Sequence, residues 1–319
     1  MRKGEVFNAL RQDMDVLIVG SVAYDSVASP LGHVKDALGG SATYAGLACS
    51  FHSKRLSLKK VGLVGVVGQD FSEEDRLLLS SSGLDLQGIE TAEGDTFRWS
   101  GSYHGTMAEA QTHETHLNVF EHFEPKVPET HRSPQITFCA NLHPALQASV
   151  LQQASPRRLS MLDSMNLWID IAKDSLLDVM RSVDLVIIND GEVRMLADDE
   201  NLVRAARKVL EMIGVKTLVV KRGEHGVLAF HGDDIISLPA YPTEQVVDPT
   251  GCGDTFAGSI AAHLATGEGE LSRDELRQAL LSATVSASFT LESFGTEALH
   301  SMSLEAFSQR LSDFEQMLN

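Results

Sequence analysis

The stretch Asp248-Pro249-Thr250-Gly251-Cys252-Gly253-Asp254-Thr255-Phe256-Ala257-Gly258 runs into an apolar helix pattern from Thr255 to Ala265. Gly251 and Gly253 let the backbone fold tightly at the helix start, where the first amides have no intrahelical acceptor. Unpaired N–H groups and the helix dipole both favour negative charge, so the stretch predicts an anion site. Asp254 is out of character there. Two roles fit it: an N-terminal capping carboxylate, or a base that takes a proton from a hydroxyl beside the bound anion.

Upstream of this stretch, short apolar runs rich in β-branched residues recur at Val16–Val19, Val61–Val67, Ile136–Cys139, Leu159–Leu162, Leu185–Ile188 and Thr217–Val220. Helical segments such as Pro144–Gln153, Ser175–Ser182 and Leu202–Met212 separate the later runs. That alternation predicts a doubly wound α/β fold, a mostly parallel sheet with helices on both faces. After Gly223 the pattern becomes a hairpin, Val227–Phe230 and Ile235–Leu238, followed by helices. Ser272 and Glu275 predict a capping box for a helix reaching about Leu291, and a last helix covers Leu304–Leu318.

Asn141, Asp163, Asn189 and Lys221 each follow an apolar run directly or nearly so. In a parallel sheet such residues emerge along one edge, where open α/β sheets bind ligands. Residues 21–37 and 94–123 break the alternation and predict a small β-sheet lid made of two insertions in a domain spanning residues 14–319. Phe97 and Trp99 lie two apart on one face of a lid strand, placed either to stack on a ring or to bury the lid against the main domain.

The chain has 319 residues, 43% of them hydrophobic, and a formal charge of −18 from 26 basic and 44 acidic side chains. That hydrophobicity excludes disorder as the main state, and the charge argues against a nucleic-acid partner. Three cysteines, Cys49, Cys139 and Cys252, show no CxxC spacing, which suits a reducing compartment. Met1–Asp15 is polar and lacks the apolar core of a signal peptide, and no segment approaches the length of a membrane span. The expectation is a cytoplasmic protein with no membrane association. His113 and His116 have no accompanying ligand set for zinc. A GxxxxGK[ST] loop is absent, and Phe256 stands where a dinucleotide fingerprint needs a small residue.

Asp248–Gly258 resembles the C-terminal signature of the PfkB (ribokinase-like) family of sugar and nucleoside kinases, roughly D-T-x-G-A-G-D-x-F-x-G. Supporting matches are Gly20-Ser21-Val22-Ala23-Tyr24-Asp25, Gly39-Gly40 at a helix start, Gly65-x-x-Gly68-x-Asp70, Asn189-x-x-Glu192 and Lys221-x-Gly223. Their order and spacing agree over about residues 14–297. Pro249 and Cys252 depart from the pattern, the latter with its amide expected to remain available.

The resemblance implies transfer of the γ-phosphate of ATP to a hydroxymethyl oxygen, with Asp254 as the base. The amides of Gly251, Cys252 and Gly253 become the hole that stabilises the moving phosphoryl group. Asn189 and Glu192 are implied to act on Mg2+ and phosphate, Glu192 through metal-bound water, whereas the plain alternative is a first-turn helix carboxylate. Lys221, Gly223 and Thr250 fall near the nucleotide, and adenine is implied to pack near Ala283, Ser286 and the turn at Gly295. A K+ site near Asp248 and Thr250 is implied for some members.

On the acceptor side the resemblance gives Asp25 the sugar hydroxyls, with Gly39, Gly40, Asn141 and Asp163 lining the same cleft. Ala23 and Tyr44 stand where asparagines are usual, and Asn141 where an acid is common, so free ribose is not the expected acceptor. A sugar or nucleoside is the expected small-molecule partner, and a homodimer through the lid edge is compatible with the pattern. Two other readings of the same fold are a catalytically silent ligand sensor and a kinase using ADP as donor.

Overall fold

The computed structural model describes residues 14–319, so the reading of the polar start falls, through residue 13, outside them. The chain enters as β1 (Val16–Val19), makes a hairpin of β2 (Ala23–Ser29) and β3 (Gly32–Gly39), and continues as α1 (Ser41–Leu56), β4 (Val61–Val67), α2 (Glu73–Ser81) and β5 (Leu84–Thr91). A second hairpin, β6 (Phe97–Tyr103) and β7 (Ala110–His116), precedes β8 (Ile136–Cys139), α3 (Pro144–Gln153), β9 (Leu159–Asp163), α4 (Asn166–Ile171) and α5 (Lys173–Met180). Then follow β10 (Leu185–Asn189), α6 (Asp190–Ala197), α7 (Leu202–Ile213), β11 (Thr217–Lys221), β12 (Val227–His231) and β13 (Asp234–Leu238). Four helices close the chain: α8 (Cys252–Leu264), α9 (Arg273–Thr290), α10 (Glu297–Ser301) and α11 (Leu304–Met317).

The large sheet has nine strands in the order β13-β12-β11-β10-β9-β8-β1-β4-β5, parallel from β11 to β5 and closed by the antiparallel β12–β13 hairpin. Its central strands, such as β1, β4 and β8, are buried on both faces, which is why their sequences are continuous apolar runs, whereas the edge strands β5 and β13 are partly exposed. One face packs on α1, α8 and α9, with Phe138, Phe307 and Phe314 fully buried there. Residues of α5, α6 and α7 join a second cluster on the opposite face. Strand order reverses between β1 and β8, so the crevice outside their carboxyl ends is the expected ligand position.

The small sheet, in the order β3-β2-β6-β7, is mixed: its two hairpins are antiparallel, and β2 pairs with β6 in parallel. Two interactions tie it to the large sheet. Arg98 bridges Asp36 (2.8 Å) and Asp70 (2.6 Å) with its guanidinium over the Tyr24 ring, and the Tyr24 hydroxyl donates to Asp75 on α2 (2.6 Å).

The expected capping box of α9 is only half made. Ser272 accepts the Glu275 amide, but the Glu275 carboxylate turns to the buried Arg158 in a two-point ion pair at 2.7 Å, a stronger interaction than the exposed cap. Among the described residues, no helix is long and apolar enough to cross a membrane.

Candidate active site

The parallel strands deliver their terminal polar residues to one place. Lys221 ends β11, pairs in register with Asn189 at the end of β10, and its ammonium reaches Asp163 at the end of β9 (2.7 Å). Lys221 Nζ also stands 3.1 Å from where a side-chain carbon on Gly253 would lie, so the strand ends and the start of α8 face each other. Burial alone would lower the pKa of this ammonium; Asp163, then Glu192 and Asp254, hold it above the ordinary lysine value. Lys221 therefore remains a cation in the interior.

The loop before α8 is braced at both ends of the Asp248 carboxylate, which is buried and accepts the amides of Thr250 (2.9 Å) and Gly295 (3.3 Å). Gly251 caps α8 with φ at 74°, a left-handed conformation, and the Tyr44 ring lies flat where any larger residue would place its β-carbon. Tyr44 is fully buried, and among the described residues its hydroxyl has no hydrogen-bond partner.

Asp254 is the third residue of α8, three residues past the Gly251 cap, and its carboxyl takes a hydrogen bond from its own backbone amide. Its carboxyl is pushed up to about 7, first by burial and then by the Asp163 charge, against the pull of Lys221. A carboxyl poised near neutrality can accept a proton from an alcohol and release it again.

The amide hole is smaller than the sequence implied. The Cys252 N–H donates to the Pro249 carbonyl at 3.2 Å, because the turn that Pro249 initiates folds back on itself. Of these three amides, those of Gly251 and Gly253 have no backbone acceptor among the described residues. The Cys252 thiol is held well above its ordinary pKa by burial and rests near the Ala287 carbonyl (3.7 Å), so it stays a thiol. Thr250 turns its hydroxyl to Tyr103 of the small sheet (3.2 Å).

Asn189 and Glu192 form a complete capping box at the start of α6: Glu192 accepts the Asn189 amide (2.8 Å) and side chain (2.7 Å), and Asn189 accepts the Glu192 amide (2.8 Å). Glu192 is buried, and burial pushes its carboxyl up to about 7. The first-turn carboxylate is thus what the structure builds. Two accepted hydrogen bonds still leave lone pairs on its oxygens. No group of three metal-ligating side chains forms among the described residues.

Asp25, at 5% exposure, accepts the Gly40 amide (3.3 Å), and its carboxylate lies so close to Gly39 that no larger residue fits there. Burial raises its pKa to about 7, helped by Asp248 and Asp254 across the cleft.

Three expectations change, and one open choice is decided. Ala283 and Ser286 are fully buried, and Ser286 bonds His52 (2.7 Å) between α9 and α1, because α9 turns this face to the core; neither lines an open adenine pocket. The Asn141 amide is engaged with Trp168 (2.9 Å) and Met165 (3.1 Å), which fixes α4 rather than reading an acceptor. Asp163 is the partner of Lys221 and takes the Ser164 amide (2.8 Å). Phe97 stacks on Phe120 (5.2 Å, 16°), so it secures the small sheet and is not free to stack on a ligand. Gly223 occupies an exposed turn just beyond Lys221.

Tyr103 escaped the sequence reading. The signal was there: Phe97, Trp99, Gly101 and Tyr103 continue the same period-two face, and the strand extends three residues past Ser100.

A family model described as pfkB family carbohydrate kinase matches residues 14–302. The chain is 31% identical over 259 residues to the cytidine kinase of Thermococcus kodakarensis, covering 80% of this chain and 90% of that one. Its fold is similar to the Methanocaldococcus jannaschii nucleoside kinase, an archaeal member of the ribokinase family (TM-score 0.74, 19% identity, 94% of this chain and 99% of that one). It is also similar to ribokinase from Cryptococcus neoformans in complex with ADP (TM-score 0.72, 21% identity, 93% and 100%). With the family model and a relative above 30% identity both spanning most of its length, the chain belongs to the pfkB family of carbohydrate kinases, which phosphorylate a hydroxyl group.

Proposed function

We propose that this kinase moves the γ-phosphate of ATP to the hydroxymethyl group of a nucleoside or closely related sugar, with Asp254 as the base. The observation that carries the proposal is Asp254 itself, buried in the first turn of α8 facing Lys221 and Asp163, with its carboxyl near pKa 7 and close in the chain to the Gly251 and Gly253 amides, which have no backbone acceptor among the described residues. The cytidine kinase relative favours a nucleoside over a free sugar.

The residues divide the work. Asp25 accepts hydrogen bonds from the acceptor's ring hydroxyls, which fixes its hydroxymethyl arm toward Asp254. Asp254 takes the proton from that arm's hydroxyl. The Gly251 and Gly253 amides, which have no backbone acceptor among the described residues, fit an anionic phosphoryl group, and the Lys221 ammonium, paired with Asp163, adds positive charge facing Gly253. ATP supplies the transferred group. Rate enhancement rests on alignment and charge stabilisation, to which a general base adds about 10²–10⁴-fold.

The site holds five carboxyl groups, Asp25, Asp163, Glu192, Asp248 and Asp254, against the single Lys221 ammonium. A divalent cation offsets that excess, and Mg2+ suits it: the remaining lone pairs of Glu192 can hold metal-bound water, and Mg2+ keeps its waters where no direct cage exists. Asp248 and the Thr250 carbonyl are the place for a K+ ion.

Residues 14–319 act as one kinase domain, with the small sheet as its lid and the exposed strand β7 available for pairing in a homodimer. Free thiols and a charge of −18 suit a cytoplasmic enzyme acting on small molecules and not on nucleic acid.

The test is to incubate the protein with radiolabelled ATP, Mg2+ and a panel of nucleosides and sugars, exchanging ATP for ADP in parallel. Label should appear on an acceptor bearing a hydroxymethyl group and require ATP. Ligand binding with no transfer to any acceptor would instead support a silent sensor.

A further inference from the structure

Trp99 lies on the cleft face of the small sheet, next to Asp25. The two residues are register partners on the parallel strands β2 and β6, so their side chains leave the sheet on the same side, about 4.8 Å apart. Along β6 the indole folds down onto Gly101: a β-carbon there would sit 2.5 Å from the ring, so the absence of a side chain makes the seat. Trp99 Nε1 donates to the Thr112 hydroxyl on β7 (3.2 Å), which fixes the direction of the ring plane.

Among the described residues, no aromatic ring and no cation stacks on Trp99, although Phe97, two residues earlier, is stacked on Phe120. Trp99 is half-buried, and β7 beside it is exposed along its whole length, so the large sheet does not cover this part of the small one. A flat, oriented and partly exposed aromatic ring therefore lies beside Asp25.

Its direction selects the ligand. The indole extends from β6 toward Thr112, away from β2 and Asp25. Because the ring leads away from Asp25, its surface suits a second ring joined to the acceptor's sugar better than the sugar itself.

We propose that Trp99, seated on Gly101, is the stacking platform for the nucleobase of the acceptor. The inference rests on the kinase reading of the site and adds to it the part of the substrate that the strand ends do not explain. Base stacking on an aromatic side chain is tolerant of base identity because every base presents a π-face. The platform therefore separates nucleosides from free sugars without distinguishing strongly among bases.

Two measurements test it. In steady-state kinetics, Trp99→Ala should raise KM for a nucleoside by about tenfold or more. It should leave KM for ATP, and KM for any free sugar that is turned over, within twofold of the parent. Gly101→Ala, which lifts the ring from its seat, should change the same parameter in the same direction. An equal rise in KM for nucleoside and sugar, or no rise, would overturn the proposal.

The second measurement needs no turnover. Nucleoside added without ATP should quench tryptophan emission in the parent protein, and Trp99→Phe should remove most of that quenching; quenching that survives in Trp99→Phe, or its absence in the parent at saturating nucleoside, would overturn the platform. If the parent phosphorylates nothing yet shows Trp99-dependent quenching, the kinase reading fails while the platform stands.

Discussion

At the scale of single residues, the site is defined by carboxyl groups held away from water. Asp25 shows the consequence for stability. Its folded pKa is about 7 against an ordinary value of 3.8, with burial as the main cause. The folded state thus binds the proton more tightly than the unfolded chain does. Stability is unaffected by this group below about pH 4, falls as the pH rises, and has lost the full contribution once the folded pKa is passed. Asp25→Asn, which still accepts the Gly40 amide, should therefore stabilise the protein at pH 8 by about 1–3 kcal/mol and do little at pH 4. Urea denaturation at the two pH values measures this directly; equal effects at both would show that Asp25 is not desolvated. The same variant should bind its acceptor less well, as expected where function requires a strained group.

At the scale of elements, the start of α8 is the most constrained backbone in the site. Gly251 combines a positive φ with the Tyr44 ring directly against it, so Gly251→Ala meets both strain and a clash. It should cost about 1–3 kcal/mol in stability and, if the amides it displaces bind the phosphoryl group as proposed, lower kcat more than it raises KM for the acceptor. Thermal unfolding and kinetics check this, and an unchanged kcat would show that the turn does not hold the anion site.

Much at this scale was legible in the sequence. Strands buried on both faces leave continuous apolar runs, and the residue after each run marks the edge where ligands bind, which is how Asp163, Asn189 and Lys221 were found. What the sequence hid was partner choice. Nothing local to Glu192 says that both its oxygens turn to Asn189, or that the Cys252 amide is taken by Pro249. Helix rotation was equally invisible. Ala283 and Ser286 lie at positions where the spacing allows either the cleft or the core, and packing of α9 on α1 and α8 decided for the core. The small sheet was read from broken periodicity, but its parallel β2–β6 pairing, which sets Trp99 beside Asp25, depends on two segments about seventy residues apart.

At the scale of the whole molecule, two sheets meet over one crevice, and each brings half of the chemistry. The large sheet and α8 contribute Asp254, the Gly251 and Gly253 amides and the Lys221–Asp163 pair; the small sheet contributes Asp25, Trp99 and Tyr103, whose hydroxyl touches Thr250 across the gap. In the proposed reaction, contact between the sheets would enclose the alcohol beside Asp254 and exclude water from it. The account stands or falls on Asp254 as the group that receives the proton. The most direct measurement is the pH dependence of kcat/KM for the parent and for Asp254→Asn, with ATP affinity measured alongside. The parent should rise in activity through about pH 7 as Asp254 ionises. Asp254→Asn should keep its ATP affinity and lose about 10²–10⁴-fold in turnover at every pH. An Asp254→Asn variant that turns over like the parent, with the same rise near pH 7, would contradict the account.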